Sequence, residues 1–203
     1  MEKFPEDPKK LKTRLRRYER QLRREYEQFG CYDDSSGRRY ELGPLYMLLG
    51  DLPGALKSFA WFEQAFPDDS GEPFHRLCWV LAFYRSGNID AAAQKLRETM
   101  LANLYLIPHL LGVEQDRLDI WHGTNWAEQD YLQYAPPEIL RLWDPTALLW
   151  AQATYHSPEF HRVRARYIEI LGQLKHERPG PRRSQLVSEA FRLRAADEGP
   201  RSL

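Results

Sequence analysis

The chain has 203 residues, a formal net charge of zero, 42% hydrophobic residues and 13% aromatic residues. This length suits one domain or one and a half, and the apolar content is enough for a real core, which excludes wholesale disorder. No run reaches the roughly 18 apolar residues that a membrane helix needs, and the start, "MEKFPEDPKK", lacks the apolar stretch of a secretory signal, so we expect a soluble, cytoplasmic protein without a membrane partner.

A long helix is predicted over residues 7–30. Asp7 suits the N-cap, Pro8 the first helical position and Gly30 the C-cap. Six apolar residues recur at spacings of three and four, which places them on one face of a helix: Leu11, Leu15, Tyr18, Leu22, Tyr26 and Phe29.

Four helices in two pairs are predicted between residues 38 and 106, after a linker at residues 31–37. The pairs are residues 38–49 with 53–66, and residues 73–86 with 89–103. The segment "FPDDSGEP" lies between them, and its proline, glycine and aspartate residues predict a break.

The rest of the chain is also predicted to be helical, apart from a packed, aromatic-rich loop at residues 120–135. The predicted helices are residues 104–119, interrupted near Pro108; 136–143; 145–155, capped by Asp144; 158–175; and 184–196, with Leu186, Val187, Phe191 and Leu193 inward. Residues 197–203 are predicted to be disordered. Because no segment alternates as a strand does, the predicted fold class is all-α.

Two stretches of the paired helices repeat each other. "LGDLPGALKSF" at residues 49–59 matches "SGNIDAAAQKL" at residues 86–96, with Gly50 answering to Gly87 at a distance of 37 positions. A period in the thirties is typical of helical repeat proteins, in which each helix pair buries its apolar face against the next pair.

The two units, at about residues 36–69 and 73–106, resemble the tetratricopeptide repeat (TPR), a helix-turn-helix of 34 residues. In the first unit, seven residues match the TPR pattern: Leu42, Gly43, Tyr46, Gly50, Ala55, Phe59 and Pro67. In the second, five match: Trp79, Phe83, Gly87, Ala92 and Leu96. The departures are Arg39, Phe62, Arg76, Val80, Thr99 and Leu104. No third unit follows, so we expect the long first helix and the helices after residue 104 to cap a short α-solenoid.

The resemblance implies a concave groove lined by the first helix of each pair. The residues that would line it and contact a partner are Tyr40, Pro44, Met47, Phe74, Leu77, Leu81 and Tyr84. The acidic residues Asp68, Asp69 and Glu72 are a second choice at its rim. Two occupants are open: an apolar peptide or helix of a partner protein, and the protein's own first or last helix.

Chemistry-bearing motifs are not evident, so we predict no enzyme activity, no cofactor and no metal site. The six histidines show no metal-ligand spacing, and His156 and His161, five positions apart, are predicted on different faces of a helix. His122 in "WHGTNW" could meet Asp116 and Asp119, but a polar role in a packed loop is the favoured interpretation. Two cysteines without a CxxC motif indicate reduced thiols.

Both ends of the chain are basic, which makes nucleic acid the alternative partner. Residues 1–30 carry ten basic against six acidic residues, residues 31–160 nine against eighteen, and residues 161–203 ten against five. A basic helix can bind phosphates, but its charge can also pair with the acidic centre. We therefore predict three parts: residues 1–30 as a basic helix, 36–119 as the repeat core, and 120–203 as a helical extension. The predicted function is that of a protein-binding scaffold or adaptor, with RNA binding as the alternative.

Overall fold

A computed structural model describes residues 3–194. These residues form helices and connecting segments, with no strand among them, so the predicted all-α class is confirmed. The ten α-helices in chain order are α1 (Pro8–Phe29), α2 (Arg39–Leu48), α3 (Leu52–Ala65), α4 (Pro73–Arg85), α5 (Ile89–Ala102), α6 (Leu106–Leu110), α7 (Pro137–Leu140), α8 (Pro145–Tyr155), α9 (Pro158–His176) and α10 (Pro181–Arg194). Within the described range, every helix is too short or too polar to cross a bilayer.

The chain divides into two compact units. The first contains the residues up to Ala92 and the segment Tyr134–Asp144, and the second contains Ala93–Gln133 and the residues from Pro145 onward. This division differs from the three predicted parts, because α1 packs on α2 and belongs to the first unit. The predicted disorder of residues 197–203 lies outside the described residues.

Helix α1 begins and ends as predicted. The side chain of Asp7 accepts a hydrogen bond from the amide of Lys9 at 2.8 Å, and Gly30 ends the helix in the left-handed conformation. The four N-terminal members of the apolar stripe are buried: Leu11, Leu15, Tyr18 and Leu22. The prediction was wrong for the last two, since Tyr26 is 52% exposed and Phe29 61% exposed.

Helices α2 and α3 form a tightly packed antiparallel hairpin. A Cβ atom at Gly43 would lie 2.2 Å from the ring of Phe59, so only glycine permits this approach of the two helices. Ala55 and Phe59 of α3 are fully buried at the crossing. Gly50, at a φ of 72°, makes the turn between the helices.

Helix α4 packs on both α2 and α3 in the first unit. The side chain of Glu72 caps its N-terminus by accepting a hydrogen bond from the amide of His75 at 2.8 Å. The short helix α7 contacts α2 and α4 as well. The first unit is therefore a stack of α1, the α2–α3 hairpin and α4, with α7 added from later in the chain.

The second unit is built around helices α9 and α10, which pack against each other. The prediction of a long helix at residues 104–119 was wrong: α6 stops at Leu110, and Gly112, at a φ of 68°, follows its end. The aromatic-rich loop contains two 3-10 helices, Asn125–Ala127 and Gln129–Tyr134. In α10, Leu186 is buried as predicted, but Phe191 is 64% exposed.

Candidate functional site

The residues predicted to line a groove are mostly part of the core. Six of the seven are buried: Tyr40, Pro44, Met47, Phe74, Leu77 and Leu81. Tyr84 is half-buried. The predicted groove is therefore not an open surface in this chain, and a partner could touch these six side chains only after the residues covering them had moved.

Helix α7 supplies part of this cover. It packs against α2 and α4, the two helices that carry the predicted groove residues. Ile139 of α7 is fully buried, and the Arg85 side chain donates a hydrogen bond to the carbonyl of Leu142, just beyond this helix. Residues 137–143 thus occupy a position that the sequence analysis considered only for the first or the last helix.

Arg39, which departs from the repeat pattern, binds two carboxylates. Its guanidinium donates to Asp69 Oδ2 at 2.9 Å and to the backbone carbonyl of Asp34 at 2.7 Å, and it forms an ion pair with the Asp34 carboxylate. The hydroxyl of Tyr40 also donates to Asp69, at 2.6 Å. Burial alone would raise the pKa of Asp69, but the hydrogen bonds from Tyr40, the Gly71 amide and Arg39 outweigh it and lower that pKa below its ordinary value.

Two of the three predicted rim acids therefore have structural roles. Asp69 ties the segment after α3 to the start of α2 through Arg39 and Tyr40, and Glu72, which is 4% exposed, caps α4. Asp68 is exposed. The prediction of a partner-binding acidic rim fails for Asp69 and Glu72, because both side chains are already engaged within the chain.

His122 lies in the second unit against the ring of Tyr105, with the two ring centroids 6.3 Å apart and nearly parallel. Asp119 pairs with Lys175, and Asp116 lines an open depression beside His109. These partners agree with a packing role for His122 and give no acid-base constellation with the two aspartates. Within residues 3–194, no three or more potential metal ligands lie together.

The histidines at the junction of α8 and α9 lie closer together than predicted. A helix break at Ser157, which caps α9, separates His156 from His161. Their rings are stacked with centroids 5.8 Å apart. The prediction of two faces of one helix was wrong because it placed both residues on a continuous helix.

The cysteines do not form a reactive pair. Both are free; Cys31 is exposed and Cys78 is fully buried. Burial raises the pKa of the Cys78 thiol, and the negative charge of Glu72 adds to the effect. Cys78 is therefore held as an unreactive thiol in the core.

The first unit carries a partly exposed group of four aromatic rings, which we call the aromatic cluster: Tyr26, Tyr32, Trp61 and Phe66. Tyr32 lies at its centre, with ring centroids 5.0 Å from Tyr26, 5.3 Å from Trp61 and 5.4 Å from Phe66. The Trp61 indole donates a hydrogen bond to the Tyr32 hydroxyl at 3.1 Å. These contacts connect the rings to one another at the C-terminal ends of α1 and α3.

Two clefts flank the aromatic cluster. One, of about 430 Å³, lies between α1 and the α2–α3 hairpin, and its rim carries Arg23, Glu27 and Lys57. The other, of about 490 Å³, lies beside Gly30 and Cys31. Tyr26, Tyr32 and Trp61 line both clefts. A partner side chain placed in either cleft would therefore contact aromatic rings, and in the first cleft it would also meet charged groups of both signs.

Sequence reasoning missed this cluster. It assigned Tyr26 to the buried stripe and Tyr32 to a linker, and it gave Trp61 no role. One available signal was the register of α3, in which Ala55, Phe59 and Phe62 face the core and Trp61 falls beside them. A tryptophan off the core-facing positions of a helix indicates either a covering segment or a binding surface.

Comparison of the chain with protein-family models, with curated proteins and with solved structures gives no match. The resemblance to TPR units therefore stays a prediction from the residues.

Proposed function

We propose that this chain is a non-catalytic protein-interaction module built on two TPR-like helix pairs, and that it binds a partner protein at the aromatic cluster. The observation that carries the proposal is the pair of clefts that share Tyr26, Tyr32 and Trp61. Tyrosine and tryptophan are enriched where truncation costs binding energy, because they bury large areas at a small cost in side-chain entropy.

The preferred ligand is a partner segment with an aromatic or large aliphatic anchor. Tyr26 is 52% exposed, so an anchor seated against it would remove apolar surface from water. The mixed charges on the rim of the 430 Å³ cleft, from Arg23, Glu27 and Lys57, favour a polar peptide around that anchor. The two free thiols suit a reducing compartment, which supports the cytoplasm as the place of action.

A peptide-display selection tests the proposal. Phage-displayed 12-residue peptides are selected on the folded protein, and the enriched peptides are measured by NMR titration. We expect peptides with an aromatic or large aliphatic anchor, binding with micromolar affinity and shifting the indole N–H signal of Trp61.

Variants at the cluster make the test specific. Tyr26→Ala and Trp61→Ala should each weaken binding about 30-fold, the effect of losing a hot-spot residue of about 2 kcal/mol. The control is Phe191→Ala, because Phe191 is an exposed aromatic residue of the second unit. Selected peptides that bind all variants equally would place the binding site elsewhere and refute the proposal.

A further inference from the structure

The outer face of α1 carries only polar residues, and most of them are positively charged. Eight basic residues are exposed there: Lys9, Lys10, Lys12, Arg16, Arg17, Arg20, Arg23 and Arg24. We call these eight the cationic face. It runs over 16 residues, which is about 24 Å of helix at 1.5 Å per residue.

Of the three acidic residues of α1, two are turned away from this face. Glu19 accepts a hydrogen bond from the Tyr46 hydroxyl, and Glu25 pairs with Arg38. Both glutamates are thus turned towards the α2 side of the helix. The third, Glu27, is exposed at the C-terminal end of the face, one turn after Arg23 and Arg24. Arg14, at the edge of the buried stripe, pairs with Glu41 at 3.4 Å and is not part of the face.

None of the eight cations forms an ion pair within the described part of the chain. Arg20 donates to the carbonyl of Arg16 at 3.2 Å, and the Arg17 guanidinium lies over the ring of Tyr18, 5.0 Å from its centroid. The sequence analysis weighed pairing of this charge with the acidic centre. In the structure that pairing is made by Arg14 and not by the cationic face.

We propose that the cationic face binds the phosphate backbone of a nucleic acid. The face lacks apolar side chains, so a folded protein would find no apolar centre to bury there, whereas protein interfaces are depleted of charge at their core. Five of the eight cations are arginines, whose planar guanidinium groups bind phosphate oxygens in a bidentate manner.

The curvature of the face favours a nucleic acid over an anionic membrane as its ligand. Lys10 and Lys12 lie on its two flanks, about 160° apart around the helix at 100° per residue. A flexible strand or a duplex groove can reach both flanks, but a flat bilayer surface reaches only the middle row. The apolar stripe that a membrane-bound helix would insert is buried within the first unit at Leu11, Leu15, Tyr18 and Leu22.

The test uses a fluorescein-labelled 20-nucleotide oligouridylate and the full chain. We expect binding whose affinity falls steeply with salt. Neutralisation of about four phosphates of a single strand gives a slope of about −3 in log Kobs against log salt, which is a loss of about 60-fold between 50 and 200 mM. A slope near zero would overturn the proposal.

Charge variants locate the site. Arg16→Glu, Arg20→Glu and Arg23→Glu combined should abolish binding at 150 mM salt, and the corresponding glutamine triple variant should weaken it by at least tenfold. The charge-matched control combines Arg141→Glu, Arg162→Glu and Arg178→Glu, three exposed residues outside α1, and should retain binding. Circular dichroism confirms that each variant is folded, and if the glutamate triple is not, the glutamine triple decides.

Two further measurements can overturn the inference. Vesicles containing 30% phosphatidylserine should bind more weakly than the oligonucleotide at the same salt, and stronger binding to vesicles would identify a membrane surface instead. Sedimentation velocity at 50 mM salt should show no self-association that depends on the three arginines. If it does, the face binds the acidic centre of a second copy and the proposal is wrong.

Discussion

The imidazole of His75 donates its Nδ1 proton to the backbone carbonyl of Tyr40 across 3.0 Å. The carbonyl needs this donor because Pro44, four residues later in α2, has no amide hydrogen to offer. The side chains of Tyr40 and His75 are both buried, that of His75 completely. A residue of α4 thus completes the backbone hydrogen bonding of α2, with the Nδ1–H of His75 as the donor.

A double-mutant cycle tests this relationship. His75→Phe removes the donor and should lower the free energy of unfolding by about 2 kcal/mol, because a buried carbonyl is costly when it loses its hydrogen bond. Pro44→Ala restores an amide hydrogen for Tyr40, so the loss caused by His75→Phe should be smaller in that background. The coupling expected from urea unfolding is about 1 kcal/mol, and additive effects of the two substitutions would contradict it.

Substitution of Gly43 and of Gly172 by alanine should change the free energy of unfolding in opposite directions. Gly43→Ala places a Cβ atom 2.2 Å from the Phe59 ring and should destabilise the protein by about 2 kcal/mol through overpacking. Gly172 of α9 has its nearest neighbouring atom, the Asp119 carbonyl oxygen, 4.0 Å from an added Cβ. Gly172→Ala should therefore increase the free energy of unfolding by about 0.5–1 kcal/mol, since alanine favours helix. Chemical denaturation measures the change in the free energy of unfolding for both variants. An unchanged stability of Gly43→Ala would mean that Phe59 can move aside.

Acid should weaken the first unit through Asp34. Burial alone would raise the pKa of Asp34, but hydrogen bonds from the Arg39 amide at 2.6 Å and the Arg38 side chain at 2.8 Å outweigh it and lower that pKa. Because the folded pKa lies below the unfolded value of about 3.9, the stabilisation is present above about pH 4 and is lost as the pH falls through the folded pKa.

Asp34→Asn provides the measurement for this pH dependence. The variant should lose about 2 kcal/mol at pH 7, since hydrogen bonds to a charged group are replaced by weaker ones, and it should lose less further stability below pH 4 than the natural protein. Asp68→Asn, at an exposed position, serves as the control. Parallel stability curves for Asp34→Asn and the natural protein would show that Asp34 does not contribute to acid unfolding.

The helices and turns with strong local signals could be predicted from the sequence. Asp7, Pro8 and Gly30 set the ends of α1 by cap chemistry that needs no knowledge of the rest of the fold. The α2–α3 hairpin was also expected, through the resemblance of residues 36–69 to a repeat unit that includes Gly43 and Phe59; the structure shows that these two residues meet at the helix crossing. All of these signals come from residues within one helix or one helix pair.

Features that depend on distant segments could not be predicted. The exposure of Tyr26 and Phe29 depends on where the α2–α3 hairpin stops covering α1, and periodicity carries no such information. The burial of Leu77 and Leu81 reflects tertiary packing on α4, to which a segment some 60 residues away, α7, contributes. The helix expected beyond Leu110 failed because the polar run that follows has no apolar face to bury.

Pro44 in α2 also limits the transfer of the α2–α3 hairpin into another protein. In repeat proteins each repeat contacts only its neighbours, so a repeat can often be added or removed as a unit. Here the α2–α3 hairpin carries a gap in its own backbone bonding that is closed from outside. Anyone grafting this hairpin into a designed array would have to bring an imidazole at the facing position or exchange the proline first.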